Sequence, residues 1–224
     1  GLTIYIAGEV DAVLFDFEGT LVDFQWRHDD GVAEAIEMLQ SLGFQKDAIR
    51  SRRYTTLMQE AMQIAAKIEL RPEEVRERIL EVYDKYDQDA LTRWALQPDI
   101  LVLLDQLKKG GVRLALVSNV GNKALSEALS KLRLEGFFEV CVNRNSVTHP
   151  KPNPEGLNFA LNSLGVQKEK AVFVGDSLDD VNAAKNAGMR VIIIAGGEHL
   201  KEQIVAANPE RIIHRYAELI QDIG

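Results

Sequence analysis

Short apolar runs recur along the chain at residues 11–15, 113–117, 138–142, 171–174 and 190–194, each bounded by polar or turn-forming residues. Runs of this length, rich in Val, Ile, Leu and Phe, predict buried strands. Stretches with apolar residues at helical spacing accompany them at 122–132, 155–164 and 179–187. Strand and helix therefore alternate through the second half, which predicts an α/β fold built on a doubly wound parallel sheet covered on both faces. In such a fold the ligand site lies at the carboxyl ends of the strands. Asp16 stands at one of those ends.

Between residues 22 and 96 the pattern changes to long amphipathic stretches at 29–42, 48–68 and 72–86, with no convincing strand. This predicts an all-helical domain, 22–96, inserted into a core domain made of 1–21 and 97–224. An insertion of this kind can be a helical decoration or a lid over the strand ends, and its position beside Asp16 favours the lid. Pro98 and Asp99 open the next helix, which runs to Lys109 and is closed by Gly110 and Gly111.

Composition narrows the function classes. The chain of 224 residues is 46% hydrophobic and carries a net charge of -8, so it can bury a real core and offers no basic surface for nucleic acid. A small anionic ligand remains compatible, because local positive groups act within an acidic whole. Cys141 is the one cysteine, which excludes an intrachain disulfide and a CxxC metal site, and its strand-like surroundings predict a buried apolar role. No apolar stretch reaches membrane-spanning length. The amino-terminal residues lack the basic start of a secretory signal, so cytoplasmic residence is the expectation.

Four segments carry candidate chemistry. In Val13-Leu14-Phe15-Asp16-Phe17-Glu18-Gly19-Thr20-Leu21 a strand delivers Asp16, and Gly19 permits the turn that presents a carboxylate nucleophile, while the amides of Gly19 and Thr20 can form a nest for phosphate oxygens. Ser118 and Asn119 end the strand at 113–117, where a hydroxyl and an amide either bind a phosphoryl oxygen or cap the next helix. Lys151 is bracketed by Pro150, Pro152 and Pro154, with Asn153 as helix cap, a frame that aims its ammonium at an anion. Asp176 ends another strand, and Asp180 follows one helical turn later. Such carboxylates beside Asp16 and Glu18 repel unless a divalent cation joins them, and an oxygen-only donor set points to Mg²⁺.

Taken in order, these segments resemble the haloacid dehalogenase superfamily, most of whose members are phosphatases, over nearly the whole chain from residue 11 to about 220. The helical insertion resembles the C1 type of cap found in the phosphoglycolate phosphatase branch. The resemblance implies that Asp16 is a nucleophile forming an aspartyl-phosphate and a metal ligand. It implies that the Glu18 backbone carbonyl and Asp176 also bind the metal, with Asp180 holding metal-bound water or Lys151. Ser118 and Lys151 are implied to grip the phosphoryl oxygens, and Asn119 lies with them. Where the family's phosphatases carry a second aspartate as general acid and base, this chain has Glu18, one methylene longer. The expected activity is Mg²⁺-dependent hydrolysis of a small phosphorylated metabolite, with no nucleic-acid or membrane partner. Enolase-phosphatase-like turnover, phosphomutase activity, and phosphate binding without turnover stand as alternatives.

Overall fold

The computed structural model describes residues 10–196 and 201–220. The amino-terminal stretch read above for a secretory start lies outside the described residues. Along the described chain run β1 (Ala12–Phe15), α1 (His28–Ser41), α2 (Tyr54–Lys67), α3 (Pro72–Leu91), α4 (Ile100–Lys109), β2 (Arg113–Val117), α5 (Asn122–Lys131) and β3 (Val140–Val142). There follow α6 (Glu155–Leu164), β4 (Ala171–Gly175), α7 (Leu178–Ala187), β5 (Arg190–Ile194), α8 (Lys201–Ala206) and β6 (Arg211–Ile213). No described helix is long and apolar enough to cross a membrane.

The chain divides into two compact units, residues 25–93 and the remainder. The flanks Val22–Phe24 and Trp94–Leu96, read from the sequence as part of the insertion, belong with the core unit. Their backbones explain why: Val22 bridges Leu96, the Asp23 amide donates to the Ala95 carbonyl at 3.1 Å, and Gln97 donates to Leu21 at 2.9 Å.

In the core unit six strands form a wholly parallel sheet in the order β3-β2-β1-β4-β5-β6. The chain winds outward from β1 to β3, returns to β4 on the other flank of β1, and winds outward again. The switch point thus falls between β1 and β4, the place where a doubly wound sheet opens a crevice at its carboxyl edge. All four residues of β1 are buried, as an apolar run packed on both faces requires. On one face Leu14, Phe173, Val191 and Ile193 pack with Leu157 and Leu161 of α6 and Val181 and Ala184 of α7.

Two expectations are corrected and one element is added. Cys141 is exposed, because β3 is an edge strand packed by α6, and strand alternation turns Val142 inward and Cys141 outward. The helix expected from residue 48 begins at Tyr54: the amides of Arg50 and Ser51 donate to the Glu60 carboxylate at 2.6 and 3.0 Å, which holds that stretch as a loop against α2. A sixth strand, β6, is too short and too polar at its start to stand out in the sequence.

The inserted unit is all-helical, with α1 and α2 both packing on α3. Val32, Ala35 and Leu39 of α1, Leu57, Ala61 and Ala65 of α2, and Val75, Ile79 and Tyr83 of α3 supply its core. Trp26 is buried among Tyr54, Tyr83 and Tyr86, and its indole donates to buried Asp87 at 3.0 Å. The ring is a packed core element of that unit.

Candidate active site

β1 and β4 are parallel neighbours with Phe15 opposite Val174, so Asp16 and the Gly175-Asp176 pair emerge side by side at the carboxyl edge. The Asp16 amide continues the ladder by donating to the Val174 carbonyl at 2.9 Å. Beyond Asp16 the chain turns at once. The Phe17 carbonyl accepts from the amides of Thr20 at 3.1 Å and Leu21 at 2.8 Å, and Gly19 takes the left-handed conformation with φ +80°.

That turn is shaped around Asp176. The Thr20 hydroxyl donates to Asp176 Oδ1 at 3.1 Å, and a Cβ on Gly19 would stand 2.2 Å from Asp176 Oδ2. Thr20 therefore spends its amide within the turn and its hydroxyl on Asp176, so the phosphate nest read for Gly19 and Thr20 lacks the Thr20 amide. We expect Gly19→Ala to lower cation affinity at least about tenfold, since the methyl displaces Asp176, and to cost a further 1–2 kcal/mol or so in backbone strain. Calorimetric titration with Mg²⁺ and thermal unfolding measure the two; unchanged cation affinity would count against this role of the turn.

Asp180 enters from the first turn of α7. Ser177 caps that helix reciprocally with Asp180, accepting the Asp180 amide at 3.2 Å. Asp180 Oδ2 accepts the amides of Asp176 at 3.0 Å and Ser177 at 3.2 Å. Gly175 lets the carboxylate come this close, for a Cβ there would lie 2.4 Å from Asp180 Oδ2.

Lys151 joins the two sides. Its ammonium is 3.0 Å from Asp16 Oδ1 and 2.8 Å from Asp180 Oδ1, donates to the Val117 carbonyl at 3.0 Å, and lies 5.2 Å from the centre of the Phe173 ring. All three ammonium protons thus have acceptors. The backbone of Lys151 is held by Asn119, whose side chain accepts from the Lys151 amide at 3.2 Å and donates to its carbonyl at 3.3 Å. The N-cap of α6 is Pro154, not Asn153 as the sequence suggests, and Asn153 accepts the Glu155 amide at 2.9 Å from one residue earlier.

Asp16, Asp176 and Asp180 each offer a carboxylate oxygen, and the three atoms lie within 4.8 Å of one another, all buried. Burial, with the Asp180 charge next, pushes the Asp16 carboxyl up to about 7, although Lys151 opposes the shift. Asp176 is likewise raised well above its ordinary range, by burial and then by the charges of Asp180 and Asp16. Burial also opposes ionisation of Asp180, but the Lys151 ammonium and the backbone amides prevail and hold it below the usual carboxylate range. One ammonium therefore does not neutralise the group. The surplus negative charge the group would carry with all three carboxylates ionised, the all-oxygen donor set and the close spacing fit a hard divalent cation that displaces the protons.

The remaining sequence-predicted residues stand as follows. Ser118 ends β2 one residue beyond the carbonyl that receives Lys151; its amide bonds the Val142 carbonyl at 2.9 Å, and its hydroxyl accepts the Val120 amide at 3.0 Å. The residue at the N-cap of α5 is Gly121, so neither Ser118 nor Asn119 caps that helix. The cluster of three carboxylates does not include Glu18, whose Oε2 accepts the Trp94 indole N–H at 2.7 Å.

Two residues escaped the sequence reading. Trp94 holds Glu18 across 76 positions of chain, and Tyr216 donates its hydroxyl to the Thr20 carbonyl at 2.6 Å across 196. Burial, then the Asp176 and Asp16 charges, keeps the Tyr216 phenol protonated well above its ordinary range, so it serves as a fixed donor.

The sequence profile described as haloacid dehalogenase-like hydrolase matches residues 13–194. The chain is 26% identical to a phosphoglycolate phosphatase of Photorhabdus laumondii over 222 residues, covering 96% of this chain and 93% of that one. Among solved structures it is similar to a haloacid dehalogenase-like hydrolase from Bacteroides fragilis, with TM-score 0.72 and 26% identity over 95% of this chain and 100% of that one. It is also similar to CbbY from Rhodobacter sphaeroides in complex with phosphate, with TM-score 0.63 and 26% identity over 94% and 96%.

Proposed function

The chain belongs to the haloacid dehalogenase-like hydrolases, and from that membership we propose that it is a Mg²⁺-dependent phosphatase that hydrolyses a small phosphomonoester through an aspartyl-phosphate on Asp16. The observation that carries this reading is the buried convergence of Asp16, Asp176 and Asp180 with Lys151 at the switch point of the sheet. Relatives of nearly the same length that are phosphoglycolate phosphatases support a small phosphorylated substrate.

Asp16, Asp176 and the Glu18 backbone carbonyl would hold Mg²⁺, with Asp180 beside them, and the bound ion would supply the positive charge that lets these carboxylates and a phosphoryl group share one site. Lys151 and the Phe17 amide, at 3.0 and 2.7 Å, both hold Asp16 Oδ1. The carboxylate is thereby fixed in rotation, and its other oxygen is the attacking atom. That oxygen forms a bond to phosphorus as the ester P–O bond breaks, and Glu18 gives its proton to the departing alcohol oxygen. Glu18 then takes a proton from the water that attacks phosphorus, releasing inorganic phosphate and restoring Asp16. Lys151, with Ser118 at the adjoining strand end, balances charge on the phosphoryl oxygens.

Phosphate release from p-nitrophenyl phosphate and a panel of phosphomonoesters including phosphoglycolate, with Mg²⁺ or with chelator, tests the reading. Turnover that requires the ion is expected; Mg²⁺ binding with no turnover of any ester would leave only a binding protein. Because the Asp16 carboxyl sits at about 7, protons compete with the cation below that pH. Apparent Mg²⁺ affinity should therefore rise from pH 5 through 7, by up to about tenfold per unit for each proton displaced, and keep rising above 7 while Asp176, raised well above its ordinary range, still gives up its proton. Affinity that is flat across this range would contradict the assignment of Asp16 as a ligand.

A further inference from the structure

Resting on the acid–base reading of Glu18, we propose that Trp94 is a positioning residue that holds the Glu18 carboxylate in place for proton transfer and keeps it out of the metal-binding group. Three observations support this. The Trp94 indole donates to Glu18 Oε2 at 2.7 Å, the short end of the range for a hydrogen bond to a carboxylate. The ring is itself held rigidly: Trp94 is buried and packs edge-on against Phe17 at 5.0 Å and 89°. Glu18 and Trp94 also share one small backbone framework, in which Glu18 bridges Val22, Val22 bridges Leu96, and the Ala95 amide donates to Asp23 Oδ1 at 2.8 Å.

A glutamate side chain has one more rotatable bond than an aspartate, so next to a cation site it needs a restraint if it is to stay at one proton-transfer position. An indole N–H suits that task, since it can only donate and neither ligates a cation nor exchanges protons with a carboxyl. The extra methylene of Glu18 gives the carboxylate its reach toward Trp94. The Glu18 departure and the tryptophan where the chain re-enters the core thus form one unit.

The balance of the reaction predicts which step depends on Trp94. Glu18 delivers a proton to the leaving oxygen in the first step and removes one from water in the second. A p-nitrophenolate leaving group barely needs the first transfer, so loss of alignment should slow mainly the second step. Trp94→Phe keeps a ring against Phe17 and removes the N–H. It is expected to lower steady-state kcat about tenfold or more, since positioned acid–base groups contribute 10²–10⁴ in rate. KM should fall by about the same factor, leaving kcat/KM nearly unchanged because phosphoryl transfer to Asp16 is not slowed, and rapid mixing with p-nitrophenyl phosphate should give a burst of nearly one p-nitrophenolate per site.

The decisive comparison is a double-mutant cycle with Glu18→Gln. Trp94→Phe should add no further loss in that background, nor in Glu18→Asp, whose shorter side chain falls short of the indole. An equal loss in all three backgrounds would overturn the proposal and leave the phosphatase reading intact. Glu18→Gln turning over at the parent rate would instead overturn the acid–base reading. A readout free of activity is the indole N–H resonance in the metal-free protein, where two tryptophans make assignment simple. The Trp94 signal should move upfield in Glu18→Gln; an unmoved signal would refute the contact.

Discussion

Asp16→Asn is expected to abolish phosphomonoester hydrolysis, lowering kcat by about 10⁴-fold or more, because an amide oxygen cannot replace a carboxylate as nucleophile. Nearly everything else at the position should survive. Asparagine has the same shape, and its oxygen can still accept from the Phe17 amide and Lys151, which bond Asp16 Oδ1 at 2.7 and 3.0 Å. The fold already disfavours charge there, since burial and the Asp180 carboxylate raise the Asp16 carboxyl to about 7. Removing that charge in the absence of metal relieves repulsion with Asp176 and Asp180, so the metal-free variant should melt at or above the parent temperature. The expected signature is a dead enzyme with undiminished stability, read by phosphate release and thermal unfolding. Retention of turnover within tenfold would remove Asp16 as the nucleophile.

Much of the site was legible in the sequence because its chemistry is written locally. Asp16 and Asp176 each follow a buried apolar run, so strand recognition alone brought both to one edge of the sheet. Asp180 follows from helix geometry, since it stands four residues beyond Asp176, close to one helical turn; the Ser177 cap that fixes it appears only in the fold. The prolines around Lys151 signalled an aimed ammonium. What was not legible depends on tertiary contacts between distant residues. Trp94 with Glu18 and Tyr216 with Thr20 have no signature in either local segment. From the sequence Asn119 reads as a phosphate or cap residue, yet its side chain clamps the backbone of Lys151, a pairing that exists only once β2 and the proline loop are brought together. Cys141 was misjudged because a run of apolar residues does not reveal whether its strand is central or at the edge.

Lys151→Met should cost both activity and stability, unlike Asp16→Asn. The methionine side chain nearly fills the same volume, so the loss is electrostatic. Two carboxylates and the Val117 carbonyl lose the ammonium that lies 2.8–3.0 Å from each. Removing one partner of a buried ion pair typically costs about 3–5 kcal/mol, because the other charge is left uncompensated. Turnover should fall by about 10²–10³-fold or more, the range for loss of one preorganised group facing transition-state charge. The pH dependence separates this from a packing defect. Burial opposes the Lys151 charge, but Asp16 and Asp180 outweigh it and raise the amine above its ordinary range, so the ammonium's contribution is fully present at any pH below the unfolded lysine value. In the variant, Asp16 and Asp180 lose the group that favours their ionised forms, and their folded-state pKa values rise. The folded variant then binds more protons than its unfolded chain at pH values above about 4, so its stability falls as pH rises through that window. The melting-temperature deficit of metal-free Lys151→Met relative to the parent should accordingly be largest near pH 8 and shrink toward pH 5. A deficit independent of pH would mean that the lysine stabilises the fold by packing on Phe173 rather than by compensating the carboxylates.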